Sequence, residues 1–408
     1  TKQTGFSALE HLRIIGPLKK TPIQILLGLE NGELNPVSLD EGQLFIFQRD
    51  FPSDLELFRQ ILQKAHTLGK PVIYDLDDYL LGLPENHPDR QSNVYAPALL
   101  PMLEALVTAD AVTVSTNKLK ETLLEFNQNI FVLSNYLDDD YCSLQIPKPR
   151  EQKDYLTIGY MGGDSHKPDL EWIAPVLLRI SKEYLEKVQI HFYGAKPPEL
   201  LRENTYVNWT PLKTYTYQEF AADFQKMDVD IFIAPLIDNL FNRCKSHIKF
   251  LEYTSLGVPG VYSRLEPYSD IVTDTENGLL ATSLDEWYTQ IVRLIDEPEL
   301  GYKLANNAQN TIKEKWLMSK NAHLWESTYE KICELNLPQV RRKKIPFEMI
   351  QILSDQLDQF HDNLDQTNNE LTKQLTEHKQ AIDELKEKLT ATEDEILSYA
   401  LSKSWRLT

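Results

Sequence analysis

Short apolar runs alternate with amphipathic helical stretches along most of the chain, and each run ends in polar or acidic residues. This alternation constrains the fold more than any other feature. A parallel strand buried on both faces reads as a continuous apolar run and needs a helical crossover to reach its neighbour. Predicted strands in the first half are Ile23–Leu27, Gln43–Phe47, Pro71–Tyr74, Ala111–Val114 and Ile130–Leu133, with helices at Asp54–Leu68 and Leu99–Thr108. In the second half the strands are Leu156–Met161, Gln189–Tyr193, Tyr206–Trp209, Val229–Ala234 and Val258–Tyr262, with a further unit ending at Gly278-Leu279-Leu280. Helices are expected from Pro168 and at Tyr217–Gln225, Leu284–Leu294, Glu297–Lys315 and Ala322–Leu335. A chain of 408 residues is too long for one core. The expectation is α/β, with doubly wound parallel-sheet domains over 1–150 and 151–318. Ligands of such sheets sit beyond the carboxyl ends of the strands, which singles out Arg49, Asp75, Asp77, Asp78, Ser115 and Asn135.

Two stretches carry most of the chemistry of the second half. Phe241 to Ser263 opens with Asn242, Arg243, Lys245 and Ser246, then takes a helical pattern through Ile248, Leu251 and Leu256. Lys245 and Lys249 are four apart, which puts them on one face near a helix start, where free N–H groups already favour an anion. Two lysines there suit a diphosphate, or else form a solvated surface face. Glu252 lies one turn on, where a carboxylate can accept hydrogen bonds from sugar hydroxyls. The second stretch is Leu156 to Lys167, a strand followed by Gly162-Gly163 and a helix start. Glycines let a backbone approach a phosphate, and His166 and Lys167 are candidate contacts beside it.

In the first half the sharpest feature is Asp75-Leu76-Asp77-Asp78. Close carboxylates repel, which raises one pKa and yields a proton acceptor. The same cluster suits a divalent cation or a solvated turn. His87 sits in a Pro-rich loop, as a residue over the cleft or an exposed loop histidine.

KSHIKFLEYTSLGVPGVYS resembles the donor-site signature of nucleotide-sugar glycosyltransferases of the GT-B fold, in the retaining group called glycosyltransferase family 4. It stands nearest to a bacterial branch that builds surface polysaccharides. The resemblance covers residues 1–335. It implies two Rossmann-like domains and a last helix (319–336) that crosses back onto the first domain, with Trp316, Trp325 and Tyr329 packing there. It implies diphosphate contacts at Gly162, Gly163, Lys245, Ser246 and Lys249, nucleotide contacts at Glu252 (the ribose) and Gly194, and a donor-sugar side with Asn242 and His166. Asp75, Asp77 and Asp78 become the catalytic, acceptor-side candidates. A glycine-containing loop near Gly5 would face the acceptor and donor phosphates. Enzymes of this kind need no metal and no cofactor, the nucleotide sugar being the substrate and a glycan or lipid-linked glycan the acceptor. The family carries two glutamates eight apart, and the first falls on Cys244, a departure that touches how the sugar ring is held. The alternatives are a GT-B sugar-nucleotide epimerase and a non-catalytic module acting in assembly.

The formal net charge of −19 argues against a general nucleic-acid binder. Cys142, Cys244 and Cys333 have no paired spacing, which points to a reducing, cytoplasmic setting. The chain has no run apolar enough to span a membrane, so membrane contact is at most peripheral, at the inner face of the plasma membrane. The linker 337–346 carries the basic run Arg341 to Lys344, which suits anionic headgroups or plain solvation.

Beyond it, 347–408 reads as a coiled-coil helix. Seam positions run from Ile350 to Tyr399 in steps of three and four, with two successive fours at Leu371 and Leu375. Such a helix would reach roughly 75 Å at ~1.5 Å per residue. Self-association is expected, although Thr367, His378 and Thr392 weaken the seam and leave another partner segment open. The ending ILSYALSKSWRLT resembles a segment that follows coiled coils in large multi-domain bacterial transferases, and the chain is expected to be cut from a longer protein.

Overall fold

The computed structural model describes residues 7–30, 33–51, 53–149, 154–212, 216–335 and 347–404. Gly5, the linker with its basic run, and the last residues from Trp405 lie outside the described residues. The chain divides into two compact units, 1–350 and 351–408.

The first unit holds two parallel sheets. A two-residue antiparallel pair, β1 (Leu29–Glu30) and β2 (Glu33–Leu34), precedes them. The first sheet runs β3 (Phe45–Gln48), β4 (Val72–Leu76), β5 (Ala111–Val114), β6 (Ile130–Val132), in that spatial order and all parallel. Its connecting helices are α1 (Leu55–Thr67), α2 (Leu99–Thr108) and α3 (Asn117–Leu123). Asp54 and Thr116 cap α1 and α3 by accepting from main-chain N–H groups.

Two expectations are corrected here. Ile23–Leu27 forms no strand: Ile23 and Ile25 pack against the core through their side chains, without a ladder partner. Alternating burial therefore signals packing, not pairing. The first sheet is also not doubly wound. Its strands follow sequence order, so right-handed crossovers put α1, α2 and α3 on one face. The other face is covered by the N-terminal helix (8–18) and by a helix from the far end of the unit.

The second sheet comprises β7 (Leu156–Gly162), β8 (Val188–Gly194), β9 (Val207–Thr210), β10 (Ile231–Ala234), β11 (Gly260–Ser263) and β12 (Leu279–Ala281), in the order β12-β11-β10-β7-β8-β9. This sheet is doubly wound. The chain moves outward from β7 to β9, then returns to β10 on the other side of β7. That reversal opens a crevice beyond the carboxyl ends of β7 and β10. The helices are α4 (Lys167–Tyr184), α5 (Tyr217–Phe224), α6 (Ile248–Ser255), α7 (Leu284–Asp296), α8 (Pro298–Lys315) and α9 (His323–Glu334). One core lies between the sheet and α4 and α7, around Ile173, Leu177, Phe192 and Trp287.

α9 returns to the first domain. Trp325 is fully buried and its indole N–H donates to Arg13 O at 2.7 Å. The two chain crossings between the sheets bond to each other, Leu137 N–H to Trp316 O at 3.0 Å and Met318 N–H to Leu137 O at 2.8 Å. The described part of the second unit is helical throughout, in α10 (Phe347–Ser404). Among the described residues no helix is long and apolar enough to cross a membrane.

Candidate functional site

The crevice at the reversal point gathers most of the candidate residues. β7 ends at Gly162, and Gly163 leads into the turn Asp164–His166 and then α4. The three glycines here differ in what fixes them. A Cβ on Gly162 would lie 2.5 Å from the Tyr160 hydroxyl and 3.2 Å from Lys249 Cε. Gly194 has φ +94°, and a Cβ there would sit 2.3 Å from Gly162 O, so it lets the ends of β7 and β8 approach. Gly163 has neither constraint, its nearest contact being Ser165 Oγ at 4.0 Å. Its missing side chain leaves open space at the mouth of the crevice.

Asp169, in the first turn of α4, organises the wall. One oxygen accepts from Ile237 N–H and Asn242 Nδ2, both at 2.8 Å, and the other meets His166 Nδ1 at 3.0 Å. Asn242 is thereby a support of the wall, buried and bonded also to Ile237 O. Burial, with Lys249 and Lys245 adding to it, holds His166 well below its ordinary value, and burial pushes Asp169 up to about 6. With its Nδ1–H directed at Asp169, neutral His166 offers Nε2 as an acceptor to Lys249 Nζ, 3.3 Å away.

Lys249 has no ion pair within salt-bridge distance among the described residues. Burial pulls its ammonium down to about 8 against the attraction of Glu252. Glu252 is buried one turn further along α6, and burial drives its carboxyl up against the pull of Lys249. The two lysines do not share a helix face, which corrects the reading from spacing. The polar opening folds as a separate turn, Leu240–Arg243, capped by Asn239 accepting from Asn242 N–H at 2.9 Å, and α6 starts only at Ile248. Lys245 lies in the connection. Its Nζ sits 4.3 Å over the Phe241 ring and 3.8 Å from Asp78 Oδ2. Ser246 Oγ accepts from Asn135 Nδ2 at 2.9 Å, which ties it to the first domain.

The opposite wall comes from the carboxyl ends of β3, β4 and β5. Asp75 is taken up entirely by the scaffold. It pairs with Arg13 through Nη2 at 2.7 Å and Nε at 3.2 Å, and accepts from Thr113 Oγ1 at 2.7 Å and Gln48 Nε2 at 3.2 Å. Arg13 is itself fully buried and also reaches Asn135 Oδ1 at 3.2 Å. A carboxylate with four bound donors has no lone pair for an acceptor hydroxyl, which corrects Asp75 as a catalytic candidate.

Asp77 and Asp78 differ. Asp77 is buried, its Oδ1 lies 3.3 Å from Arg49 Nε without hydrogen-bond geometry, and both atoms lack a hydrogen-bond partner. Burial, opposed by Arg49, pushes Asp77 up to about 6. At Asp78 burial acts the same way, but Lys245, Arg49, His166 and Lys249 together outweigh it and hold the carboxylate below its usual range. Arg49 has φ +51° and reaches the Tyr95 hydroxyl at 3.2 Å.

His87 is buried, not an exposed loop residue. Its ring stands edge-on to Phe241 at 5.0 Å, its Nδ1 accepts from Asp89 N–H, and its Nε2 has no hydrogen-bond partner. The loop carrying it therefore packs across the crevice onto the second domain. Cys244, where the resemblance expects a glutamate, faces α3: its Sγ meets Thr122 Oγ1 at 3.5 Å and its carbonyl accepts from Thr116 Oγ1 at 3.0 Å. Trp316 and Trp325 pack against Tyr136, as structural aromatics. Among the described residues no group of three or more His, Cys, Asp or Glu side chains is arranged to hold a metal ion.

Sequence reading missed Arg13, Asp169 and Tyr95. Arg13 interrupts the apolar positions Leu12 and Ile15 and reads as the polar face of a surface helix. Asp169 reads as an ordinary first-turn carboxylate. The one signal for both is a charge beside a fully apolar helical stripe.

Residues 155–297 match the family profile described as glycosyl transferases group 1. No curated protein sequence matches the chain. Among solved structures it is similar to TarM at 16% identity and TM-score 0.50, over 70% of this chain and 54% of TarM, so it spans about half the length of that protein. It is similar to sucrose-phosphate synthase from Thermosynechococcus elongatus at 11% identity and TM-score 0.51, over 73% of this chain and 75% of that one. A third likeness is to HepE from Anabaena, solved in complex with UDP, at 13% identity and TM-score 0.50, over 72% of this chain and 80% of that one. The two-domain parallel-sheet fold is therefore the GT-B fold, and its second domain is similar to the group 1 glycosyl transferases.

Proposed function

We propose that this chain transfers a sugar from a nucleotide-sugar donor to a hydroxyl of a glycan or lipid-linked glycan, with retention of configuration, in bacterial surface-polysaccharide synthesis at the inner face of the plasma membrane. The observation that carries the donor site is the half-buried Lys249, without a salt bridge among the described residues, beside neutral His166 and the open space at Gly163, all at the reversal point of the second sheet. A partly desolvated cation without a close counterion is costly alone and favourable once an anion arrives. The leaving diphosphate supplies that anion. Lys249, Lys245 and the main chain at Gly162 and Gly163 neutralise the charge that develops on it, without a metal or cofactor. Glu252 holds the ribose, His166 and Asn242 lie on the donor-sugar side, and Gly194 shapes the floor beneath the nucleotide. The HepE structure was solved with UDP, which supports a uridine nucleotide as the first donor to try.

On the other wall Asp77, raised toward neutrality, is the proton acceptor for the incoming hydroxyl, and Asp78 steers Lys245. The test is nucleotide release from a bound nucleotide sugar with and without a panel of lipid-linked and free glycans. Acceptor-dependent release that Asp77→Asn abolishes supports this reading. Release that is independent of acceptor and unchanged by that variant contradicts it. One observation favours a second reading, a non-catalytic module: Cys244 stands where the resemblance expects a glutamate and is turned toward α3. That reading predicts nucleotide binding without turnover. We also infer that α10 associates with a second helix.

A further inference from the structure

From the exposed seam of α10 we propose that this helix pairs with the same helix of a second copy as a parallel, in-register, two-stranded coiled coil. The proposal rests on the association reading above and is independent of the donor site.

The helix runs unbroken for 58 residues, from Phe347 to Ser404. Large apolar side chains lie open along it: Leu364 at 42% exposure, Leu371 at 56%, Leu375 at 57%, Ile382 at 51%, Leu389 at 60% and Ile396 at 65%. These are the a positions of the heptads and form one stripe. A lone helix in water gains nothing from such a stripe, and a contiguous exposed apolar row marks an interaction surface.

Three observations choose the occupant and its direction. The seam's d positions include Thr367, His378 and Thr392. In-register parallel pairing sets each polar layer against its own copy, whereas a slip of one heptad sets His378 against Leu385. The hydroxyls of Thr367 and Thr392 already donate to Asn363 O and Lys388 O, both at 2.8 Å, so closing the seam over them strands no donor. Second, the flanking charges are self-complementary in this arrangement. Position g at Lys388 meets position e at Glu393 of the other copy, once on each side. The other flanking pairs from residue 374 onward are Gln374 with Lys379, Ala381 with Lys386 and Glu395 with Ala400, with no like charges. An antiparallel pair overlapping the whole exposed stretch centres near Gln380 and sets Lys379 level with Ala381 and Lys386 level with Gln374, with no opposite charges brought together there. Third, the extra residue spacing between Leu371 and Leu375 falls at equal height in two parallel copies, so both unwind together. In the antiparallel pair it would face regular heptads.

The test uses the full chain. Light scattering on a sizing column should give twice the monomer mass, and Leu385→Asp combined with Leu389→Asp should return the monomer mass. In a Cys333→Ser background, Thr367→Cys and Thr392→Cys should each, separately, form a disulfide-linked dimer on mild oxidation. Only a parallel in-register pair brings both residues opposite themselves. A monomer at micromolar concentration, or cross-linking at one position but not the other, overturns the proposal. Nucleotide binding followed on the same samples keeps failure here separate from failure of the donor-site reading.

Discussion

The two walls of the crevice handle charge in opposite ways. On the first-domain wall the charges lie close to counterions: Asp75 with Arg13, Asp77 with Arg49, Asp78 with Arg49 and Lys245. On the second-domain wall Lys249 has a neutral imidazole as its close polar neighbour, and Glu252 is buried one helical turn away. A wall whose charges are matched is finished as folded. A wall whose half-buried lysine makes no salt bridge among the described residues has room for the charge of a ligand. The contrast supports the proposed division, with the donor diphosphate on the second domain and the acceptor on the first.

The comparison breaks most sharply at Arg13. Arg13→Ala strands the buried Asp75 carboxylate and should cost about 3–5 kcal/mol of stability, read by chemical denaturation. A loss near zero would mean that Asp75 is not held as described. Lys249→Ala should do the reverse. It removes a charge that burial disfavours, so the melting temperature should hold or rise, while nucleotide affinity falls by about 1.5–3 kcal/mol, the worth of a hydrogen bond to a charged group.

The pH dependence sharpens the contrast. Burial pulls Lys249 down to about 8, well below an ordinary lysine, and in the proposed function the diphosphate binds its charged form. Affinity should therefore be level below about pH 7 and weaken as pH rises through 8. Above pH 8 binding should take up close to one proton, which calorimetry in buffers of different ionisation enthalpy detects. The smallest effect is expected at Gly163. Gly163→Ala meets open space, so the fold should be unchanged and only nucleotide affinity should drop, about tenfold or less. Gly162→Ala, by contrast, meets Tyr160 and Lys249 and should cost stability as well.

Local pattern made the elements legible, and long-range pairing did not. β5 and α2 fall where the apolar runs predict them, because a run buried on both faces leaves few alternatives. The winding of the first sheet was not legible, since strand order depends on which neighbours pair. Lys249, Glu252 and Gly162-Gly163 announced themselves through residue type and local spacing. Arg13 and Asp169 did not, because their partners lie 62 and 68 positions away along the chain. Lys245 was misplaced because the helix starts only at Ile248, which the Asn239 cap and the separate turn decide. The burial of His87 was not legible because a partner across the crevice, Phe241 of the second domain, packs against it.

The most direct test is a thermal-shift panel of UDP-, GDP-, dTDP- and CMP-sugars on the wild-type chain and on Lys249→Ala, without added metal. The account predicts that one nucleotide family stabilises the wild type and leaves the well-folded variant unmoved. Equal shifts in both proteins, or none in the wild type, would contradict a donor site at Lys249.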